Sequence, residues 1–335
     1  MNEKQKYLNF SIGLLAILTV SYFATLIYMP LNKPLEAKII TIEKGQACKE
    51  TSIELKNNGL IGSSSAFYFY SILTNKYRKI QAGDYLLSSQ MSTHQILKII
   101  TNGETAKKTL TFIEGWGIEE IGNYLESKEV CTKEEFLNAT NDKKWADQFS
   151  ILKDKPETLS LEGYIFPDTY YVNIKATAND IVESSLKELQ SKITNQMIDD
   201  IKKQDKTVFE IITMASVIEK EVRTLEDKKI VSGILNKRLD IGMPLQVDAT
   251  VLYAMNQTKE KIYIKDTKID SPYNTYKYRG LPLGPISNPG IDSINAAIYP
   301  TTTNYLYYLS AKDGKTIFSK TLEEHNFNKA KYLNN

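Results

Sequence analysis

Chemistry has few places to start in this chain. No Gly-x-x-x-x-Gly-Lys or Gly-x-Gly-x-x-Gly cradles a phosphate, and Gly115-Trp-Gly117 is too short a match to count. No Gly-x-Ser-x-Gly elbow raises a serine nucleophile, and Ser63-Ser-Ser65 reads as a loop. His94 and His325 are far from Cys131 in sequence, and two histidines are too few for a histidine-built metal site. No metal and no cofactor are expected. Acids remain. In the run Phe209-Glu-Ile-Ile-Thr-Met-Ala-Ser-Val-Ile-Glu-Lys-Glu-Val-Arg223, a helical turn of about 100° per residue puts Ile211, Ala215, Ile218 and Val222 on one stripe, with Met214 near it. Lys220 points away, and Glu219 and Glu221 fall on the two flanks, roughly 160° apart. Carboxylates so placed do not hold one glycosidic bond between them, as a paired acid and nucleophile must. If this helix is catalytic, one Glu acts alone. Half burial beside Ile212 and Ala215 would favour its neutral form, the condition for a general acid. The wheel does not choose between Glu219 and Glu221, and both also read as solvated carboxylates beside a core face.

The elements that must position such an acid are mixed. Strands are expected at Lys38–Glu43 and after the turn at Ile80, and helices at Glu50–Asn58, Ser64–Asn75 and, capped by Ser92 and stopped by Gly103, Ser92–Thr101. Residues 38–104 therefore read as a small α+β module. A strand at Thr109–Ile113 precedes Glu114-Gly-Trp-Gly, then helices at Ile118–Ser127, Lys133–Thr140 and about Lys144–Leu152. Leu161–Val172 is aromatic and extended but broken by Pro167, an edge strand or structured loop. Ala178–Lys203 reads as one or two helices. Amphipathic helices follow at Val208–Val222 and Asp227–Leu239, and Asp248 is a candidate cap for a helix to Met255. Pro272, Gly280, Pro282, Gly284, Pro285, Pro289 and Gly290 crowd into one irregular loop, of the kind that often carries function. Asp292 or Ser293 is expected to cap a short helix before Pro300. Asp313-Gly314 marks a hairpin between Tyr305–Ala311 and Lys315–Ser319, and a helix closes at Thr321–Tyr332.

Composition bounds the rest. The chain has 335 residues, 24% of them charged, with a net charge of +2, which excludes a disordered chain and gives no reason to expect nucleic acid as a partner. Tyrosine is abundant at 21, a composition suited to sugar stacking as well as to ordinary packing. No charged residue occurs from Tyr7 to Asn32, long enough for a membrane-spanning helix. No small-x-small cleavage site precedes Pro30, which argues for an uncleaved span over a signal peptide. The expected organisation is a cytoplasmic tail (1–6), a transmembrane helix (7–32), a linker (33–37), the module (38–104) and a catalytic domain (105–335). The remainder would lie outside the cytoplasm, where Cys48 and Cys131 are free to pair or not.

Several motifs occur in order: Leu161-Glu-Gly-Tyr-Ile-Phe-Pro-Asp-Thr-Tyr170, Ala215-Ser-Val-Ile-Glu-Lys-Glu221, Asn236-Lys-Arg-Leu-Asp-Ile-Gly-Met-Pro-Leu-Gln-Val-Asp-Ala-Thr250, Ser271-Pro-Tyr-Asn-Thr-Tyr276, Gly280-Leu-Pro-Leu-Gly-Pro-Ile-Ser-Asn-Pro-Gly290 and His325-Asn. Together, from about Ala37 to the end, they resemble the MltG, or YceG-like, family of endolytic murein transglycosylases. The resemblance implies an α+β protein: a transmembrane helix, a small LysM-like module and a larger mixed α/β catalytic domain. It implies a lyase of the bacterial inner membrane that cuts the β-1,4 bond between N-acetylmuramic acid and N-acetylglucosamine within peptidoglycan strands. The product is a 1,6-anhydromuramic end, and the role is to limit strand length beside cell-wall synthases. It also selects the acid, since the first Glu of Glu-Lys-Glu, here Glu219, matches the family's catalytic Glu. Glu162, Gln246, Asp248, Tyr273, Asn274 and Tyr276 become candidates to bind sugar or to position Glu219. Ala249 departs from the Pro that many members carry there. The rival reading is a non-catalytic glycan-binding membrane scaffold, which Glu219 argues against.

Overall fold

The computed structural model describes residues 3–31, 34, 36–256 and 262–333. Met1 and Asn2 of the expected tail, Asn32 of the expected span, and Lys33 and Leu35 of the expected linker lie outside the described residues. The chain divides into two compact units, residues 1–108 with 171–175, and residues 109–170 with 176–335.

The first unit opens with α1 (Glu3–Tyr28), a helix long and apolar enough to cross a membrane, with a mean hydropathy of 2.1 over its most apolar 18 residues. β1 (Ala37–Ile42), α2 (Cys48–Asn57), α3 (Ser64–Leu73), β2 (Gly83–Ser88) and α4 (Thr93–Asn102) follow. β1 and β2 pair antiparallel, with Ile40 opposite Tyr85. Their inward side chains, Ile40, Ile42, Tyr85 and Leu87, close a core with Leu55, Phe67, Ile96, Leu97 and Ile100. α4 is a local sequence instruction made visible. Ser92 accepts from Gln95 N at 3.2 Å while Gln95 Oε1 accepts from Ser92 N at 2.8 Å, and Gly103 stops the helix at φ 70°. β3 (Lys107–Thr111) pairs with β4 (Thr169–Asn173), and the division between units falls within both strands.

The second unit is mostly helical: α5 (Ile118–Ser127), α6 (Lys133–Thr140), α7 (Lys144–Gln148), α8 (Ala178–Lys192), α9 (Asn195–Lys202), α10 (Val208–Glu221), α11 (Leu225–Asp240), α12 (Asp248–Ala254), α13 (Ile291–Ile298) and α14 (Leu322–Leu333). The hairpin β5 (Tyr307–Ser310) and β6 (Thr316–Ser319) precedes α14, and its turn runs through Gly314 at φ 84°. The helix expected over 144–152 divides into α7 and a short 3-10 turn at Ser150–Leu152, the strand expected at 109–113 lies two residues earlier as β3, and 178–203 forms two helices, α8 and α9, within the one or two expected.

α10 organises this unit. Thr207 caps it by accepting from Glu210 N at 3.1 Å. Every residue from Ile211 to Ile218 is buried, not only the expected stripe. The extra burial includes Thr213 and Ser216, covered because α11, α13 and the Pro/Gly loop all pack on this helix. Ser216 Oγ accepts from Ile286 N at 3.0 Å, and Ser216 O accepts from Ser287 Oγ at 3.1 Å. The Pro/Gly loop thus takes its hydrogen bonds from the helix it covers, which satisfies backbone groups a buried loop would otherwise strand. Gly163, at φ 87°, lies so close to Pro285 and Ile212 that a Cβ would collide with both.

Candidate active site

Glu219 occupies the last turn of α10, and three hydrogen-bond donors from two helices, one of them a cap residue, aim at it. Lys228 Nζ, from the first turn of α11, reaches Oε1 at 3.0 Å and Oε2 at 3.2 Å. Oε2 also accepts from Gly290 N at 3.0 Å and from Ser293 Oγ at 2.6 Å. Gly290 is the residue before α13, so the carboxyl sits at the positive end of that helix dipole. The pair is withdrawn from water: the Lys228 and Glu219 side chains are 3% and 8% exposed. Removing one partner of such a pair costs far more than breaking a surface ion pair. Asp292 and Ser293 do not cap α13 as expected. The cap position falls to Gly290, and Ser293 spends its hydroxyl on Glu219 instead.

A second carboxyl lies beside the first. Glu114, at the end of the stretch after β3, packs against Gly290 so closely that a Cβ there would collide with it. Burial pushes its carboxyl up, and the negative charges of Glu219 and Asp292 add to the rise against the opposing pull of Lys228. Gly115 follows: a Cβ on it would stand 3.5 Å from Glu219 Cγ, and its carbonyl accepts from Lys220 Nζ at 3.1 Å. The Gly115-Trp-Gly117 turn, too short to signal anything by itself, therefore forms a wall of the site.

Asn288 ties this wall to Glu162. Asn288 O accepts from Gly115 N at 2.9 Å, its Nδ2 donates to Trp116 O at 2.9 Å and to Glu162 Oε1 at 3.1 Å, and its Oδ1 accepts from Ile165 N at 2.9 Å. Glu162 also accepts from Ile118 N, the first residue of α5, at 3.3 Å. It is 5% exposed, and burial pushes its carboxyl up to about 8. A carboxyl raised this far above its unfolded value, near ~4.3, binds more protons folded than unfolded between the two values. Its stabilising contribution is therefore complete below the unfolded value and drains away as pH rises toward about 8. Glu162→Gln removes that drain. Thermal melting should show the variant gaining on the parent as pH rises from roughly 5 to 8, and parallel curves would contradict this account of Glu162.

The other candidates divide into separate neighbourhoods. Tyr273 packs on Tyr253, with ring centroids 4.8 Å apart, and both phenols are raised chiefly by burial and also by the charge of Glu162. Tyr276 Oη donates to Asp248, which begins α12 without capping it, a correction to the expected cap. Asn274 is fully buried and committed to its own loop: its Nδ2 donates to Thr267 O and Ile269 O, at 2.9 and 2.8 Å, and its Oδ1 accepts from Tyr276 N at 3.0 Å. Gln246 is exposed, and it holds φ at 51° while its N–H donates to Thr275 O at 3.1 Å. Glu221 faces the hairpin, where it accepts from Tyr308 Oη at 2.9 Å. Burial and the charge of Asp248 push the Glu221 carboxyl up to about 7. Glu219 and Glu221 thus meet different neighbours, as the wheel required. Sequence reasoning missed Glu114, Lys228, Ser293 and Asn288 as site residues. Cys48 and Cys131 are both free thiols.

The known proteins that resemble this chain decide its family. The model of the YceG-like family matches residues 40–331. The chain belongs to the YceG-like family. An endolytic murein transglycosylase of Bacillus subtilis (strain 168) is 35% identical over 310 residues, which is 88% of this YceG-like chain and 84% of that protein. An endolytic murein transglycosylase of Streptococcus pneumoniae serotype 2 is 31% identical over 322 residues, 88% of this chain but 58% of the longer relative. The crystal structure of a putative YceG-like protein from Listeria monocytogenes, 36% identical, superposes with a TM-score of 0.60 over 88% of this chain and all of that one.

Proposed function

We propose that this YceG-like chain is a membrane-anchored endolytic lytic transglycosylase. It cuts the β-1,4 bond between N-acetylmuramic acid and N-acetylglucosamine inside peptidoglycan strands and leaves a 1,6-anhydromuramic end. The observation that carries the proposal is the convergence of Lys228, Gly290 N–H and Ser293 on Glu219. Glu219 donates its proton to the glycosidic oxygen as the bond to the anomeric carbon breaks. Donors fixed on the carboxylate that remains lower the cost of that transfer without reorganising. The muramic C6 hydroxyl then attacks the positive anomeric carbon, and Glu219 accepts its proton. One carboxyl acts first as acid and then as base, so no partner carboxylate is needed to activate water. Glu114 is the nearby carboxyl whose proton affinity is raised by burial and by the charge of Glu219.

The other residues take supporting places in the same reading. Asn288 and Glu162 position the Gly115-Trp-Gly117 wall. Tyr273, Asp248, Tyr276 and Gln246 are offered to glycan hydroxyl and acetamide groups, and Asn274 shapes the loop that carries the tyrosines. Residues 38–104 are a LysM-like module that guides the strand. α1 anchors the protein in the bacterial inner membrane with a short cytoplasmic tail and the catalytic unit outside. Cutting there limits strand length beside cell-wall synthases.

The test incubates the full chain, in detergent, with uncrosslinked glycan strands and reads the products by mass spectrometry. Internal fragments with anhydromuramic ends are expected. Only terminal disaccharides would contradict the endolytic reading, and binding without any cleavage would leave the glycan-binding scaffold in its place.

A further inference from the structure

α3 carries an apolar face that the described residues of its own unit leave largely exposed. Ala66, Phe67, Tyr70 and Ser71 point into the core. Tyr68, Phe69, Ile72 and Leu73 lie on the other side of the helix and are 37%, 61%, 44% and 71% exposed. No charged residue occurs between Lys56 and Lys76, and then Lys76, Arg78 and Lys79 come together at the end of the helix. A large apolar face rimmed by basic residues is the pattern of a helix lying in a membrane interface.

The position of this face relative to α1 names the partner. The Phe23 ring of α1 meets the Phe69 ring edge-on, with centroids 6.0 Å apart. The uncharged run of α1 begins at Tyr7, and about 20 helical residues cross the hydrocarbon layer, so a span entered at Tyr7 leaves that layer near Leu26. Phe23 is then still inside the layer, and it holds Phe69 at its own depth. The junction is fixed. Ile27 is 1% exposed within the core of the unit, Thr93 Oγ1 donates to Leu26 O at 2.8 Å, and Leu31 N donates to Ser89 O at 3.1 Å.

We infer that α3 is an interfacial helix whose Tyr68, Phe69, Ile72 and Leu73 face sits in the outer boundary of the lipid bilayer, with Lys76, Arg78 and Lys79 against anionic headgroups. The inference rests on the reading of α1 as a membrane span. A soluble partner would have to enter a layer that lipid already fills. Two helices then grip the bilayer, the crossing α1 and the flat-lying α3, and together they fix how the first unit faces the membrane.

The full chain, with Cys131→Ser and the buried Cys48 retained, is labelled with a nitroxide at Ile72→Cys or Leu73→Cys. It is placed as one copy per nanodisc of phosphatidylcholine and phosphatidylglycerol. Collision with oxygen, which concentrates in lipid, is compared with collision with a water-soluble nickel chelate. Leu15→Cys in α1 and Asp313→Cys in the exposed hairpin turn are the lipid and water references. Oxygen should exceed the chelate at 72 and 73, as at 15, with the order reversed at 313. Chelate exceeding oxygen at 72 and 73 while 15 remains in lipid would overturn the inference and spare the anchor. Access by neither reagent would show a protein cover and also overturn it. Chelate access at 15 would overturn the anchor and the inference together.

Discussion

Glu219→Gln should lower turnover on uncrosslinked glycan by roughly 10²–10⁴-fold, the usual contribution of a positioned acid and base. Glutamine keeps the shape and an oxygen for Gly290 N–H and Ser293, which meet the same carboxyl oxygen at 3.0 and 2.6 Å. It has no proton to give at neutral pH and no carboxylate to take one back. The loss should therefore fall on kcat with KM little changed, because the interaction removed belongs to the transition state. Glu221→Gln is the matched control. That side chain spends its carboxyl on Tyr308 at 2.9 Å, toward the hairpin, and its replacement should cost about 1 kcal/mol of stability and leave most of the turnover. Steady-state kinetics on the two variants decides between the flanks of α10. Full activity in Glu219→Gln with loss in Glu221→Gln would move the acid to the other flank.

Lys228→Met should be the most destabilising substitution at the site, by about 3–5 kcal/mol, because it leaves Glu219 buried without the ammonium group that pairs with it. Methionine fills the same space, so the cost is electrostatic and not a cavity. The double variant Glu219→Gln with Lys228→Met removes both charges. It should recover part of that loss, with a coupling of about 1–3 kcal/mol between the two positions in denaturant unfolding. Strictly additive costs would mean that the two groups do not stabilise each other. Lys228→Met should also slow catalysis, since the ammonium faces both oxygens of the carboxylate that Glu219 becomes when it gives up its proton.

Local signals in the sequence carried much of this fold. The bounds of α5 and α6 follow the hydrophobic periodicity and the Thr132 cap, and the Ser92 box and Gly103 stop of α4 are where their residue types require. Glu219 was legible as one of two flanking acids, and only the motif resemblance separated it from Glu221. What surrounds Glu219 was not legible. Gly290 and Ser293 arrive from 71 and 74 residues away, and Lys228 from a different helix. No periodicity encodes such meetings. The same cause hid the burial of Ser216, which looks like an ordinary small polar residue until the Pro/Gly loop closes over it. Asp292 and Ser293 looked like caps because their residue types cap helices elsewhere. Here a glycine does so, leaving Ser293 free for the acid and Gly290 small enough to admit Glu114.

Whether Glu219 cleaves the glycosidic bond without water is tested most directly by the source of the oxygen at the new end. Uncrosslinked glycan is cleaved by the full chain in water enriched in heavy oxygen, and the new ends are weighed by mass spectrometry. The expected products carry no heavy oxygen and are one water lighter than hydrolysis fragments. New reducing ends carrying heavy oxygen would make the protein a hydrolase and contradict the single-carboxyl mechanism.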